Sequence, residues 1–274
     1  LRYIALIVVL LSGLVLLYTE KDLPPWGDPN SPASLHVSPK YLRDSLQETA
    51  VPNVVTSVLA DYRGYDTMFE TTVIFCAGLA CFVLLRVFKV ERKEAHYRHK
   101  ATGLIIHVKV PNLLDNSSEF ERVDTMWVPH DLILKTMCRF LIPFIQLFAL
   151  YVVAHGHHSP GGGFQGGVIL GASIILLSIS FDLRTGLERV NERSISLMSA
   201  TGVFVFTGIG AICLFLGSQF LNYGILSKIL GVDPVMSRSW GIFGVEVGVA
   251  ITVMAVMIGI YNYISSEGKL DEGL

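Results

Sequence analysis

Apolar residues dominate six stretches of the chain, at residues 4–17, 71–85, 132–154, 164–181, 195–216 and 240–264. A helix rising 1.5 Å per residue needs about 20 mostly apolar residues to cross bilayer hydrocarbon, and water-soluble folds have no use for several such runs. The pattern predicts an all-α polytopic membrane protein of about six transmembrane helices. The first run, between Arg2 and the polar Glu20-Lys21-Asp22, is short but adequate. No small-residue cleavage site precedes the polar stretch, which favours a retained anchor over a signal peptide.

The polar intervals organise the rest. Residues 19–50 hold prolines at 24, 25, 29, 32 and 39, a composition that predicts a loop unable to sustain a helix. Val54, Val55, Val58, Leu59 and Tyr62 fall at helical spacing over a segment too short to span. Gly64 reads as its stop, and Asp66-Thr67 as the restart of the second span. Residues 86–132 form the longest polar stretch, within which residues 104–110 have a strand-like composition. The third and fourth spans are joined only by His155-Gly-His-His-Ser-Pro-Gly-Gly-Gly163, with Ser159-Pro160 resembling a helix cap and first position. The expected division is a two-helix module at 1–90, a cytoplasmic linker at 91–131 and a four-helix domain at 132–274.

Composition agrees: 51% of the 274 residues are hydrophobic, 16% are charged, and the mean hydropathy is +0.54. The net charge of -2 conceals a biased placement of Lys and Arg. With both termini cytoplasmic, Arg2, the ten basic residues from Arg86 to Arg139, Arg184, Arg189, Arg193 and Lys269 fall on the inner side, 15 of 21. Lys21, Lys40, Arg43, Arg63, Lys228 and Arg238 fall outside, so the positive-inside rule selects this orientation and puts the His-Gly-His-His turn outside. The basic stretch at 86–100 reads as a solvated juxtamembrane segment, and no nucleic-acid partner is expected. Cys76, Cys81, Cys138 and Cys213 all lie in apolar runs and read as small buried side chains, with no cofactor or redox centre expected.

Ionisable residues inside a span are costly and default to functional candidates. Glu246 lies about two turns into the sixth run among Gly241, Gly244 and Gly248, which favours a carboxylate held against protein or water. A structural interhelical hydrogen bond is its simpler reading. Glu70 has two readings: the third residue of a Thr67-x-x-Glu70 capping box, or half of a carboxylate pair with Asp66 four residues earlier. His155, at a membrane boundary, is a proton-accessible group. The histidines lack the company of a closed metal site, so no metal is assigned. Gly163, Gly167 and Gly171 repeat every four residues, a stripe on which another helix can sit.

The run from His155 to Gly167, together with Gly-Val-Glu246-Val-Gly, resembles the B subunit of Mrp-type multisubunit Na+/H+ antiporters over roughly residues 133–264. Upstream, Asn53-Val-Val-Thr56, Asp61-Tyr-Arg-Gly-Tyr-Asp-Thr67 and Glu70-Thr-Thr-Val73 resemble the C-terminal part of the large A subunit of the same antiporters, a module that membrane-bound hydrogenases carry separately. The resemblance implies a Na+ or H+ pathway beside large antiporter-like subunits and other small membrane subunits, with Glu70 matching a glutamate implicated in ion transfer. This chain lacks the intramembrane lysines of the large subunits, so alone it should transport nothing.

The expected ion-path residues are therefore Glu70, Asp66, Glu246 and His155. The rival from a different class is a membrane anchor of a respiratory oxidoreductase with no ion path. Topology is open to direct test: single cysteines at Ser159 and Thr185, in a background lacking the native four, should label from opposite sides of the membrane. Labelling of both from one side overturns the orientation.

Overall fold

All six apolar runs are helical in the computed structural model, which describes residues 2–86, 95–108, 114, 117–123, 132–266, 268 and 270. Lys89, Arg92, Lys93, Lys109 and Lys269, counted for orientation, lie outside the described residues. The chain divides into two compact units, Leu1–Ser45 and Leu46–Leu274.

In the first unit, α1 (Arg2–Thr19) buries none of its apolar window, and a short 3-10 turn, Glu20–Asp22, follows it. The expectation of an irregular 19–50 segment is wrong in its second half. A π-turn at Ala33–Val37 leads into α2 (Ser38–Thr49), which crosses the boundary between the units. Four of the five prolines lie before residue 33, and Pro39 follows directly on the π-turn, whose Ser38 N–H bonds to the Ala33 carbonyl.

The second unit continues with the short α3 (Val54–Ser57), capped by Asn53, whose side chain accepts from the Val55 N–H. A π-turn, Val58–Tyr62, follows, and then α4 (Gly64–Leu85). Gly64 thus opens the spanning helix. Strands β1 (Ala95–His99), β2 (Ile105–Val108) and β3 (Phe120–Val123) make an antiparallel sheet in the order β2-β1-β3, with Tyr97 opposite Ile106 and Arg122. The segment expected to be a plain linker therefore carries a small sheet, of which β2 matches the strand-like stretch and the other two strands had no clear alternation. Tyr97 is fully buried in it.

The remaining helices are α5 (Leu132–Ala154), α6 (Gly163–Ser180), the seven-residue α7 (Leu183–Arg189), α8 (Glu192–Phe215), α9 (Ser227–Leu230) and α10 (Pro234–Ser265). Ser159-Pro160 does not start α6. Gly161 and Gly162, at φ 152° and 143°, keep the chain extended past it, and Gly162 is the cap. Among the cysteines, Cys138 and Cys213 are buried as expected, but Cys76 is exposed and Cys81 intermediate, because most of the apolar surface of α4 faces outward.

Helix α10 is the centre: 61% of its spanning window is buried, against 39% or less for every other span. It is contacted closely from three sides through glycines. On α6, a Cβ at Gly163 would collide with the Glu246 carbonyl, one at Gly167 would stand 2.6 Å from the Ala250 carbonyl oxygen, and one at Gly171 would meet Met254 at 3.4 Å. On α8, Gly202 faces Gly248 and Thr252, and a Cβ at Gly248 would lie 2.8 Å from the Gly202 carbonyl oxygen. On α4, a Cβ at Gly78 would stand 3.0 Å from Val256. Backbones this close gain dispersion contacts that side chains would otherwise prevent.

At one end of the bundle Tyr223 is fully buried against Gly241 and donates from its hydroxyl to the Ala60 carbonyl at 2.9 Å. At the other, Glu192 receives Arg86 at 3.1 Å and the Tyr263 hydroxyl at 3.2 Å, tying α4, α8 and α10 together.

Gly167→Leu should destabilise the chain and its assembly by at least the roughly 1–3 kcal/mol typical of overpacking, seen as lost yield on native electrophoresis and a lower melting temperature in detergent. Gly208→Leu, where nothing lies within 4 Å of an added Cβ, is the control and should behave as wild type.

Candidate functional site

Where α3, α4, the α5–α6 turn and α10 meet they line an open cavity of about 270 Å³. Its wall contains two carboxylates, Glu70 of α4 and Glu246 of α10, with Thr56, Thr67, Thr71 and Gln165 as the other polar side chains and no basic residue. Val245 and Val249 flank Glu246, so the carboxylates face a pocket that is otherwise largely apolar.

Glu246 is 9% exposed. Gly163, the first residue of the 18-residue α6, packs against the Glu246 backbone, so the positive end of that helix lies beside the acid. Side chains are excluded here. A Cβ at Gly162 would stand 2.6 Å from Oε1, and one at Gly156 would stand 3.2 Å from Oε2. Oε2 itself is buried with no protein partner. A buried carboxylate oxygen left unbonded is costly unless water or a cation meets it.

The glycine turn is fastened to α3. Asn53 donates from its side-chain amide to the Gly156 and Ser159 carbonyls at 2.9 Å each, and from its backbone to the His157 carbonyl at 2.9 Å. Thr56 adds its hydroxyl to the Gly156 carbonyl at 2.9 Å. Two residues about 100 positions upstream thereby hold the turn that covers Glu246.

Glu70 is exposed on α4 and lines the cavity without capping the helix. The capping-box reading fails because α4 already starts at Gly64, placing Thr67 inside it, and the Thr67 hydroxyl donates to the Leu59 carbonyl at 2.7 Å. Asp66 does not pair with Glu70 in the cavity wall; its carboxylate is bound by Arg63 at 2.5 Å. His155 is also outside the wall, its ring 4.9 Å from Tyr151 and 5.4 Å from His158.

Three features were missed in the sequence. His157, not His155, turns inward: its ring lies 6.0 Å from Phe243, and Nε2 is buried with no protein partner. Burial, and secondarily His158, push its pKa down and favour the neutral ring. Next, Thr56 sat in a segment read only for its apolar face, Thr67 was read as a cap and Thr71 only as part of an apolar span. Last, Asp61, buried at 4% side-chain exposure, makes a two-pronged ion pair with Arg238 at 2.7 and 2.9 Å. Burial raises the Asp61 pKa and Arg238 opposes that rise; the forked geometry is that of a charged pair. Beside it the Tyr62 hydroxyl donates to Glu48 at 2.5 Å. Opposite charges 177 residues apart leave no local signal to find. Among the described residues no group of three or more His, Cys, Asp or Glu is arranged to hold a metal.

Comparison with known proteins places these residues in context. Residues 133–259 match the family described as a domain related to the MnhB subunit of Na+/H+ antiporter, and residues 29–100 match the family of the E subunit of MBH. The B subunit of the Na(+)/H(+) antiporter of Bacillus subtilis (strain 168) is 33% identical over 132 residues, 46% of this chain and 91% of that protein. The probable K(+)/H(+) antiporter A/B subunit of Rhizobium meliloti (strain 1021) is 26% identical over 224 residues, 79% of this chain, and the chain spans only 22% of that relative's length. Among solved structures, a chain of the membrane-bound sulfane sulfur reductase, an archaeal respiratory membrane complex, aligns with TM-score 0.56 and 25% identity over 96% of this chain and 97% of its own. A chain of the Mrp complex from Dietzia sp. DQ12-45-1b aligns with TM-score 0.60 and 25% identity over 99% of this chain and 27% of its own.

The Asp61–Arg238 pair is open to a stability test. Asp61→Leu leaves a guanidinium without its partner and should cost about 3–5 kcal/mol, read as a lower melting temperature in detergent. Adding Arg238→Met should recover most of the loss; no recovery would mean that the pair is not what holds α10 to the Val58–Tyr62 turn.

Proposed function

Because the chain belongs to the family of the MnhB subunit of Na+/H+ antiporters, we propose that it is a multi-pass cell-membrane subunit of a cation- or proton-translocating complex, and that the Glu70–Glu246 cavity is its part of the path. The observation that carries this reading is the wall itself. Thr56, Thr67 and Thr71 donate their hydroxyl protons to backbone carbonyls at 2.9, 2.7 and 2.7 Å, so what they can turn toward the cavity is oxygen lone pairs. With two carboxylates and no basic side chain, the wall offers acceptors to Na+ or to a hydrated proton. Glu246 is the deep group and Glu70 the group nearer the open side. Asp66 and His155 belong to the approach rather than to the cavity.

In its complex the chain serves transport, in company with large antiporter-like subunits and other small membrane subunits of the antiporter module. The full-length correspondence with a chain of the sulfane sulfur reductase complex supports a place in a redox-driven assembly of that kind. The matches at 29–100 and 133–259 support the division into an N-terminal module ending near 90, a connecting segment and a C-terminal domain from 132.

Ion-coupled transport in inverted vesicles, with assembly checked by native electrophoresis, tests the path. Glu70→Gln and Glu246→Gln keep side-chain size and remove the charge. Each should leave the complex assembled and bring transport close to background, while Glu70→Asp retains part of it. Wild-type transport by both Gln variants would sink the reading.

A further inference from the structure

The end of the α5–α6 hairpin remote from the Glu246 turn carries an arrangement with no part in the cavity. Lys135 and Arg139, four residues apart on α5, direct their charges at one ring, Phe181 at the end of α6: Nζ is 5.9 Å and Cζ 5.5 Å from its centroid. Four-residue spacing puts both on one helix face. Among the described residues neither cation has an ion-pair partner. The acid nearest in sequence to the ring, Asp182, turns its carboxylate to the Thr185 N–H at 2.5 Å, capping α7. Arg184 and Glu188 pair with each other at 3.5 Å. Two like charges therefore stand around one ring with no anion among the described residues paired to either.

Their depth matters. Arg139 is seven residues into the Leu132–Ala154 span, roughly 10 Å along its axis. A cation there is costly unless its long side chain reaches the headgroup layer. From Arg139 an exposed apolar stripe runs deeper along the same flank of α5, through Pro143, Leu147 and Leu150. Paired cations at the headgroup level above an apolar stripe match an amphiphile with a charged phosphate and acyl chains.

We infer that Lys135, Arg139 and Phe181 form a headgroup site for an anionic phospholipid, with its acyl chains along Pro143, Leu147 and Leu150. The phosphate lies between the two cations and supplies a counter-charge that no described residue does. A zwitterionic lipid brings a cationic group back toward the same face and is bound less well.

Native mass spectrometry of the full chain in detergent, titrated with phosphatidylglycerol or phosphatidylcholine, tests this site. The wild type should prefer phosphatidylglycerol, and each of Lys135→Gln and Arg139→Gln should weaken that lipid on the order of fivefold. The double variant should bind both lipids alike, with phosphatidylcholine binding unchanged. Arg139→Lys, which keeps the charge and perturbs packing least, should retain most of the preference, and Phe181→Leu should reduce it. Survival of the preference in the double variant overturns the site. Displacement of phosphatidylglycerol by millimolar inorganic phosphate would assign these residues to a soluble anion and overturn the lipid reading as well.

Discussion

The near-contact of α6 with α10 is the constraint on which the rest of the unit depends. Because Gly163 and Gly167 have no side chains, the α6 backbone stands against the carbonyls of Glu246 and Ala250, which brings the N-terminus of α6 beside Glu246. A methyl group at Gly163 would collide with the Glu246 carbonyl and force the two helices apart. In a bilayer, where the lipid is as apolar as any core side chain, such packing replaces the hydrophobic effect as the force between helices. The same few glycines thus set both the stability of the bundle and the position of Glu246.

What the packing creates is a carboxylate that is solvated by protein on one side only. Oε1 lies under Gly162, with the N-terminal end of α6 supplying partial positive charge, while Oε2 has no protein partner. A fully bonded carboxylate would bind nothing, and one with no support would be too costly to keep at that depth. Glu246 stands between these limits. The wall opposite adds oxygen atoms from α3 and α4 whose protons are already committed to backbone carbonyls.

The spans were legible because length and apolarity are summed over about 20 residues, and an error at one position changes little. The glycine stripe was legible as a period, and the structure puts its three members against residues 246, 250 and 254 of α10. Local reading failed where a distant contact decided the outcome. Thr67-x-x-Glu70 looked like a cap, but the Thr67 hydroxyl goes to Leu59 in the preceding turn. Ser159-Pro160 looked like another, but two glycines in conformations closed to other residues extend the turn beyond it. His155 and His157 are two residues apart, and nothing in the sequence says which turns inward; that follows from Asn53 gripping the turn from 103 residues away. The Asp61–Arg238 pair was invisible for the same reason.

These long-range ties also bear on why two modules stand in one chain. Glu70 lies in the stretch that matches one family, residues 29–100, and Glu246 in the stretch that matches another, residues 133–259. The cavity needs both, and so does the turn above it, since Asn53 and Thr56 come from the first stretch and Gly156 to Ser159 from the second. Asp61 and Arg238 are divided in the same way. Neither stretch by itself holds two carboxylates around one space. Joining them in one chain makes the encounter of α4 with α10 intramolecular, so the geometry of the acid pair does not depend on the concentration of a second polypeptide. The cavity is therefore a property of the whole chain, since each matched stretch contributes one of the two carboxylates that line it.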